Sequence, residues 1–173
     1  MGEHWVKQTF RNRAEILTAN GVATLTVPVH GYGAKIATRD VRIDNSRRWQ
    51  HVHWMSIASA YRAAPFFEHY EERFAGVYGR RFEFLVDLNL ELTAILAHLF
   101  LVDAEAVEVS RDYVVAAPGD IDLRGKKAFR RADLVAGSKE YIQVFYDRVP
   151  FVPGLSAVDL LFCEGPAASQ FVC

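Results

Sequence analysis

The chain has 173 residues, of which 51% are hydrophobic, and its 20 Lys and Arg against 21 Asp and Glu give a formal net charge of −1. This is enough material for one soluble domain with its own core, and we interpret residues 1–173 as a single domain. A charge so close to zero excludes the basic surface that nucleic-acid binding needs for counterion release, and also the strong acidity of a disordered chain. We therefore expect no nucleic-acid partner.

The sequence carries no sign of export or of a membrane span. Two cysteines, Cys163 and Cys173, are too few for a disulfide framework, and no cationic segment followed by an apolar one opens the sequence. The most hydrophobic window, residues 84–102, contains two carboxylates and a histidine that are costly inside a bilayer. We interpret this window as a core helix and expect a cytoplasmic protein.

The N-terminal part has the pattern of a small antiparallel sheet. Residues 10–17 and 22–29 flank the sequence Thr-Ala-Asn-Gly at 18–21, and Asn-Gly is a strong hairpin signal. The second of these segments alternates apolar and polar side chains, which predicts one buried face. Residues 36–43 are predicted to add a third strand.

From residue 44 to residue 102 the periodicity becomes helical, and three successive helices are predicted. The first begins near Arg47, after the capping side chains of residues 44–46. Its apolar stripe has a spacing of four residues and consists of Trp49, His53, Ile57 and Tyr61.

The second predicted helix has Pro65 in its first turn and three aromatic residues on one face, Phe66, Tyr70 and Phe74. The third, at about residues 82–101, is apolar on most sides. A helix of this kind is usually enclosed by its neighbours, and we expect that here.

The rest of the chain is more irregular. Residues 106–109 and 141–146 are predicted strands, and residues 119–137 form a long basic surface excursion. A last helix is predicted at residues 156–164, closed by a Gly-Pro pair. The predicted fold class is therefore α+β, with a small antiparallel sheet, made of the N-terminal hairpin and further strands, packed with a helical middle segment and a C-terminal helix.

Three cations open the first predicted strand. If residues 7–17 are extended, Lys7, Arg11 and Arg13 lie on one face, where they suit phosphate or carboxylate. An anionic ligand such as a phosphosugar, a sugar nucleotide or an acyl carrier would fit this face. The alternative is a solvated face paired with Glu15 and cross-strand partners.

His53 is the best acid/base candidate, because its ordinary pKa is close to neutrality. Its place on the apolar stripe equally fits a buried histidine that is simply hydrogen-bonded. Glu83, Asp87 and Glu91 form a carboxylate stripe on the third helix, and such a stripe is usually solvated. The alternatives are that Asp87 and Glu91 act as an acid/base pair or that they receive Arg11 or Arg13.

Two amides are also candidates. Asn89 lies on the leucine side of the third helix, where it either fixes a neighbouring loop or faces a polar pocket. Gln143 lies between Tyr141 and Phe145 on one face of the late strand, which fits a ligand-binding surface and a core equally well.

Other polar residues have simpler interpretations. Ser156 and Asp159 have the spacing of a capping box, and Cys163 lies in an apolar run typical of a small core residue. The sequence has no CxxC, HExxH, GxSxG, phosphate-loop or GxGxxG motif. We therefore expect no metal and no cofactor.

Seven segments stand out together: residues 7–13 (KQTFRNR), 49–54 (WQHVHW), 59–62 (SAYR), 65–70 (PFFEHY), 84–89 (FLVDLN), 141–145 (YIQVF) and 155–162 (LSAVDLLF), the last followed by 164–166 (EGP). Together they resemble the WbqC-like family of bacterial proteins, which is associated with surface-polysaccharide (O-antigen) gene clusters. The resemblance spans nearly the whole chain, and it is specific in combination although none of the segments is a catalytic signature.

The resemblance implies a transferase, of aminoacyl, acyl or sugar-modifying type, in surface-polysaccharide biosynthesis. By position it marks Lys7, Arg11, Asn12, Arg13, His53, Tyr61, Asp87, Asn89, Gln143 and Asp159. We expect His53 and Asp87 to be catalytic. Lys7, Arg11, Asn12, Arg13, Asn89 and Gln143 are expected to bind an anionic donor, either a sugar nucleotide or an acyl donor.

The chain also departs from the family pattern. Relatives usually begin with a further strand and helix, which are missing before Met1, so an inactive truncated member is one alternative. A non-catalytic ligand-binding or assembly module of the same pathway is another. The absent strand would leave an exposed sheet edge that favours self-association. Relatives commonly have other residues at Cys163, which argues against a thiol mechanism.

Overall fold

The computed structural model describes residues 2–6, 9–31, 36–102, 110, 112–115, 117 and 138–171. Two strands form the sheet of this part of the chain, β1 (Arg13–Thr18) and β2 (Gly21–Thr26). The α-helices are α1 (Trp49–Tyr61), α2 (Phe67–Tyr78), α3 (Leu85–Leu99) and α4 (Ala157–Glu164). Short 3-10 helices cover Thr38–Asp40 and Gly165–Phe171. The α+β prediction is confirmed.

The predicted hairpin is present. β1 and β2 pair antiparallel, from Arg13 opposite Thr26 to Thr18 opposite Gly21. Gly21 has a φ of 97°, a left-handed conformation that glycine adopts without steric cost and that closes the turn. Along the second segment Leu25 and Val27 are buried whereas the neighbouring threonines are exposed, as the alternation predicted.

Residues 36–43 do not form the third strand. They contain the 3-10 helix and make only isolated bridges, Ala37 with His4, Ile43 with Val29 and Arg42 with Phe84. The prediction was wrong because the backbone hydrogen bonds of this segment are divided among the N-terminal segment, the residues after β2 and the start of α3, so that no continuous ladder forms. The amide of Ile43 donates to Glu83 at 2.9 Å, and Leu85 donates to the carbonyl of Val41 at 2.9 Å.

The late strand at 141–146 is also absent. Residues 144–148 form turns, in which Tyr146 donates to the carbonyl of Gln143 at 3.0 Å and Arg148 to that of Phe145 at 2.9 Å. These local bonds use backbone groups that a sheet would have paired. The strand and the surface excursion predicted at 106–109 and 119–137 lie outside the described residues.

The apolar stripe of α1 is confirmed, since Trp49, His53, Ile57 and Tyr61 are all buried. The helix begins two residues later than predicted, and no side chain caps it. Asn45 instead links two elements: its Oδ1 accepts from Trp49 Nε1 at 3.2 Å, and its Nδ2 donates to the carbonyl of Phe82 at 2.8 Å.

The next two helices differ from expectation in what they bury. α2 buries Phe67, Phe74 and Val77, so its inner face is rotated from the one predicted. α3 is not enclosed, since only Leu85 and Leu88 of its residues are fully buried. One side of α3 packs on the core, and the rest of its apolar surface is half-buried or exposed.

The buried side chains form two clusters. The larger one surrounds Phe162, whose ring centroid lies 5.3 Å from that of Tyr61, 5.2 Å from Phe67 and 5.6 Å from Phe74. The smaller one contains Trp49 and Leu85. Among its residues with described structure, the protein has no helix that combines the length and the apolar character a membrane crossing requires.

Candidate functional site

A small, mostly apolar cavity with a few polar groups lies where the segment before β1 meets α1 and α3. Its volume is about 80 Å³. Its polar lining consists of five residues, Arg11, Asn12, Arg13, His53 and Asn89. All five are among the eight residues predicted to form the site, so the structure brings most of that set together. Aromatic and aliphatic side chains, Tyr78 and Trp49 among them, complete the wall.

The backbone before β1 is a turn and not an extended strand. Thr9 Oγ1 donates to the carbonyl of Val6 at 3.1 Å and accepts from the amide of Arg11 at 3.4 Å. The strand alternation that placed three cations on one face is therefore wrong for residues 9–12. Arg11 and Arg13 nevertheless line the same cavity, whereas Lys7 lies outside the described residues.

The guanidinium of Arg11 has an acidic partner. Its Nη2 lies 2.5 Å from Glu3 Oε1, and only 9% of the Arg11 side chain is exposed. Asn89 Nδ2 donates to the backbone carbonyl of Arg11 at 2.9 Å. Asn89 thus fixes the loop that carries Arg11 while also lining the cavity, so both interpretations of this amide apply.

Asn12 and Arg13 bring open hydrogen-bonding capacity to the cavity. Asn12 Nδ2 donates to the carbonyl of Val27 at 2.9 Å, which fixes the side chain. The buried Asn12 Oδ1 and Arg13 Nε make no hydrogen bond with the described residues. Buried polar atoms are costly without a partner. An acceptor and a cationic donor on two consecutive residues that line one cavity suit an anion that also carries a hydroxyl group.

His53 is the titratable imidazole of the cavity. Its Nε2 lies 3.1 Å from the carbonyl oxygen of Thr26, and the centroid of its ring lies 5.2 Å from that of Trp49 and 6.1 Å from that of Tyr78. Burial lowers the pKa of His53, although the bond to Thr26 opposes the shift. Because a carbonyl only accepts, Nε2 carries the proton of the neutral ring, and Nδ1 has the lone pair of a base.

Tyr78 provides a hydroxyl group that stays protonated. Burial raises the pKa of Tyr78 to about 12. The phenol can therefore donate a hydrogen bond at neutral pH but cannot act as an anionic nucleophile.

The structure does not bring Asp87 to this cavity. Asp87 is exposed on α3. Its neighbours on the carboxylate stripe bind arginines, Glu83 with Arg42 and Glu91 with Arg80, the latter pair at 2.5 Å. The stripe is thus the solvated face that such stripes usually form, partly paired with arginines, and the carboxylate at Arg11 is that of Glu3 instead of the alternative partners Asp87 and Glu91.

Gln143 belongs to a separate, buried network around Asp159, whose side chain is 0% exposed. Asp159 Oδ1 accepts from the hydroxyl of Tyr61 at 2.6 Å, and Oδ2 accepts from Tyr141 at 2.6 Å and from Gln143 Nε2 at 3.0 Å. The Gln143 amide also pairs in both directions with the backbone of Val152, at 2.9 Å each. The geometry thus matches the core interpretation of Gln143.

Burial sets the ionisation of this network. It raises the pKa of Asp159, and the hydrogen bonds from Tyr141, Tyr61 and Gln143 act in the opposite direction. Burial also raises the pKa of both tyrosines. The hydroxyl of Tyr61 accepts from the amide of Leu17 at 3.1 Å, so the network ties β1, α1 and α4 together.

The sequence did not reveal the role of Asp159. The predicted capping box is wrong, because no side-chain hydrogen bond caps α4 at Ser156 and the Asp159 carboxylate lies in the interior. Its partners are 98 and 18 residues away, and only the family pattern had marked Tyr61 and Asp159. Cys163 is the core residue predicted, and burial raises the pKa of its thiol to about 12.

Comparison with known proteins identifies one family. The model described as the WbqC-like protein family matches residues 3–121, a span that contains all five polar residues of the cavity but neither Gln143 nor Asp159. No curated protein and no solved structure matches the chain. Because the matched span covers more than half of the sequence, the chain belongs to the WbqC-like protein family.

Proposed function

We propose that this protein is a transferase that holds the anionic group of an activated donor in the cavity at Arg13 and moves a proton through His53. The carrying observation is the open pair of buried polar atoms, Asn12 Oδ1 and Arg13 Nε. The donor is an acyl or sugar donor, and the pathway is surface-polysaccharide biosynthesis. Donor and pathway rest on the family resemblance.

Charge in the cavity favours an anion. The Arg11 guanidinium faces Glu3, whereas Arg13 makes no ion pair with any acidic residue that the structure describes. A half-buried guanidinium attracts phosphate or carboxylate more strongly than an exposed one, because the surrounding dielectric is lower. The proposed role of Arg13 is to bind the anionic group, and that of Arg11 and Asn89 is to hold the loop beside it.

Size limits what can enter the cavity. Cavities that enclose a drug-sized ligand have volumes of about 300–1,000 Å³. The cavity of about 80 Å³ therefore accepts a single anionic group and leaves the rest of a donor outside.

The proposed step uses the neutral imidazole. His53 Nδ1 removes the proton from the acceptor's hydroxyl or amine, whose oxygen or nitrogen then bonds to the electrophilic carbon of the donor. The bond between that carbon and its leaving group breaks, and the leaving group takes the proton from the imidazole. Arg13 stabilises the negative charge that develops on the donor.

Inorganic phosphate tests the anion site. NMR of the protein with labelled histidine should show His53 ring resonances that shift saturably with phosphate. In Arg13→Gln the shift should require at least about tenfold more phosphate, since a charge-assisted hydrogen bond is lost. Arg73→Gln, an exposed arginine on α2, is the matched control. Equal phosphate titrations of parent and Arg13→Gln would contradict the proposal.

A non-catalytic module is the second candidate. Apart from His53, the cavity lining offers no group among the described residues that is nucleophilic at neutral pH. Mass spectrometry of acceptor amino sugars, incubated with the protein and an acyl-CoA or nucleotide-sugar donor, separates the two. An enzyme loses transfer in His53→Gln while phosphate binding, measured by calorimetry, persists. A module binds without forming product in either protein.

A further inference from the structure

A second concave surface lies between the start of α1 and the end of α2. We call it the arginine groove and define it by Arg48, His51, Trp54, Tyr78, Arg80 and Arg81. Its volume is about 430 Å³, within the range of sites that hold whole small molecules. Tyr78 also lines the small cavity at Arg13 and His53, so groove and cavity are neighbours.

The groove concentrates positive charge on a chain whose net charge is −1. Arg48 and Arg81 are exposed and make no ion pair with the acidic residues that the structure describes. Arg80 binds Glu91, and its guanidinium lies 5.2 Å from the ring centroid of Phe82, which restrains it. Two open guanidiniums beside a restrained one suit a ligand with more than one phosphate oxygen.

The surface next to the groove is mixed in charge. An adjoining depression of about 640 Å³ shares Arg81 with it and also contains His30, Arg42, Asp44 and Glu83. Arg42 pairs with Glu83 there. The strongest anion attraction is therefore expected within the groove at Arg48 and Arg81, neither of which forms an ion pair with an acidic residue that the structure describes.

A rigid aromatic surface completes the groove. The indole of Trp54 is half-buried and stacks on Phe67, at 6.1 Å and 19°, and on Tyr78, at 6.2 Å and 29°. The exposed part of a ring restrained in this way can contact a flat ligand at little entropic cost, and contact of a base with an aromatic side chain is favourable for every base. The half-buried amide of Gln50 adds a donor and an acceptor at the same surface.

We propose that the arginine groove binds a nucleoside diphosphate, with the phosphates at Arg48 and Arg81 and the base against Trp54. This unit occurs both in nucleotide sugars and in coenzyme A, so the groove would hold the part that both donor classes share. The interpretation of the groove as a donor site rests on the proposed function, whereas binding of a nucleoside diphosphate is measured independently of that function.

Calorimetric titrations test the groove with ADP, UDP, adenosine and pyrophosphate. ADP or UDP should bind at least about tenfold more tightly than adenosine or pyrophosphate, because only they use both the guanidiniums and the indole. Arg48→Gln and Arg81→Gln should each weaken nucleotide binding about tenfold. Titrations with UDP-N-acetylglucosamine and with coenzyme A then show which donor class supplies the nucleoside diphosphate. Tighter binding of either one supports the site.

Matched controls separate a site from general charge attraction. Arg62→Gln and Arg73→Gln remove one exposed arginine each outside the groove and should leave nucleotide binding unchanged. Trp54→Phe should weaken ADP or UDP but not pyrophosphate. Absence of saturable nucleotide binding, or equal losses in groove and control variants, overturns the inference. Such a result leaves the phosphate response of His53 intact, so it is distinguishable from failure of the proposed function.

Discussion

The imidazole of His53 is held on the buried face of α1, between a backbone carbonyl and aromatic rings. Burial lowers the pKa of His53 from its ordinary 6.5 because the charged form loses water. In the unfolded chain the charged imidazole keeps its water. Protonation of His53 therefore favours unfolding, and the lowered pKa that makes Nδ1 a base also makes the stability of the fold depend on pH.

We predict that the free energy of unfolding rises with pH between the lowered pKa of folded His53 and 6.5. In this interval the unfolded chain binds more protons than the folded one, so the slope is positive, with a limit of about 1.4 kcal/mol per pH unit for one proton. Urea titrations of the parent and of His53→Gln across pH 5–7.5 measure the contribution of His53. His51→Gln, an exposed histidine two residues away, should keep the parent slope. An unchanged slope in His53→Gln would disprove the coupling.

The Asp159 network predicts an unequal effect of removing two tyrosine hydroxyls. Tyr141→Phe deletes a hydrogen bond of 2.6 Å to a buried carboxylate and should lower the free energy of unfolding by about 1.5–3 kcal/mol. Tyr146→Phe removes the same atom from a residue that is 70% exposed and should change it by less than about 0.5 kcal/mol. Chemical denaturation of both variants checks the difference, and equal stabilities would contradict it.

Residue chemistry was predictable where a residue type is unusual for its surroundings. An imidazole on an apolar stripe and arginines at a strand start marked His53, Arg11 and Arg13. The prediction for Asp159 was wrong because its spacing from Ser156 is that of a capping box, a local pattern that already explains both residues. Partners 98 residues away leave no trace in a local pattern.

At the scale of elements, Gly165 joins α4 to the 3-10 helix that follows. Its φ of 56° and ψ of −128° are open to glycine but strained for other residues. A Cβ built at this position would lie 2.4 Å from the Phe66 ring. The amide of Phe66 donates to the carbonyl of Phe162 at 3.0 Å, which fixes the backbone that carries the ring.

We therefore predict that Gly165→Ala lowers the free energy of unfolding by at least about 1–3 kcal/mol, through strain alone. Gly76→Ala is the matched control, because a Cβ at Gly76 meets nothing within 4 Å inside α2. Helix propensity should make that variant more stable by up to about 1 kcal/mol. Thermal denaturation should thus shift the two midpoints in opposite directions, and a lower midpoint in both would refute this account.

The sequence pattern predicted secondary-structure elements correctly where their backbone hydrogen bonds are local. The hairpin and the helices close their own backbone bonds, and the Asn-Gly signal and the α1 stripe found them. Residues 36–43 have strand-like composition, but their amides and carbonyls pair in turn with the N-terminal segment, with the residues after β2 and with the start of α3. Which partner such a segment chooses depends on tertiary packing.

At the scale of the whole molecule, the two buried clusters are not independent. Tyr78, Leu92 and Ile95 pack against both. Neither cluster can open without exposing apolar surface of the other, which favours one cooperative unfolding transition.

Phe162→Leu should reveal this cooperativity. It leaves a gap among three aromatic rings of the larger cluster and should cost about 1–3 kcal/mol. The midpoints measured by circular dichroism and by tryptophan fluorescence, which includes Trp49 of the smaller cluster, should fall together. Ile142→Ala, at a residue 68% exposed, should move neither midpoint appreciably. Separate midpoints would show that the clusters unfold independently.

The hydroxyl of Tyr61 has two hydrogen-bond partners that lie at very different sequence separations from it. It receives a hydrogen bond from Leu17, 44 residues away, and donates one to Asp159, 98 residues away. Contacts that close such long loops form slowly, whereas a hairpin closes in microseconds. The hairpin should consequently assemble early in folding, and the hydrogen bonds to the Asp159 carboxylate should form late. A substitution that weakens these hydrogen bonds would then shorten the lifetime of the native state while the rate of refolding stays nearly constant.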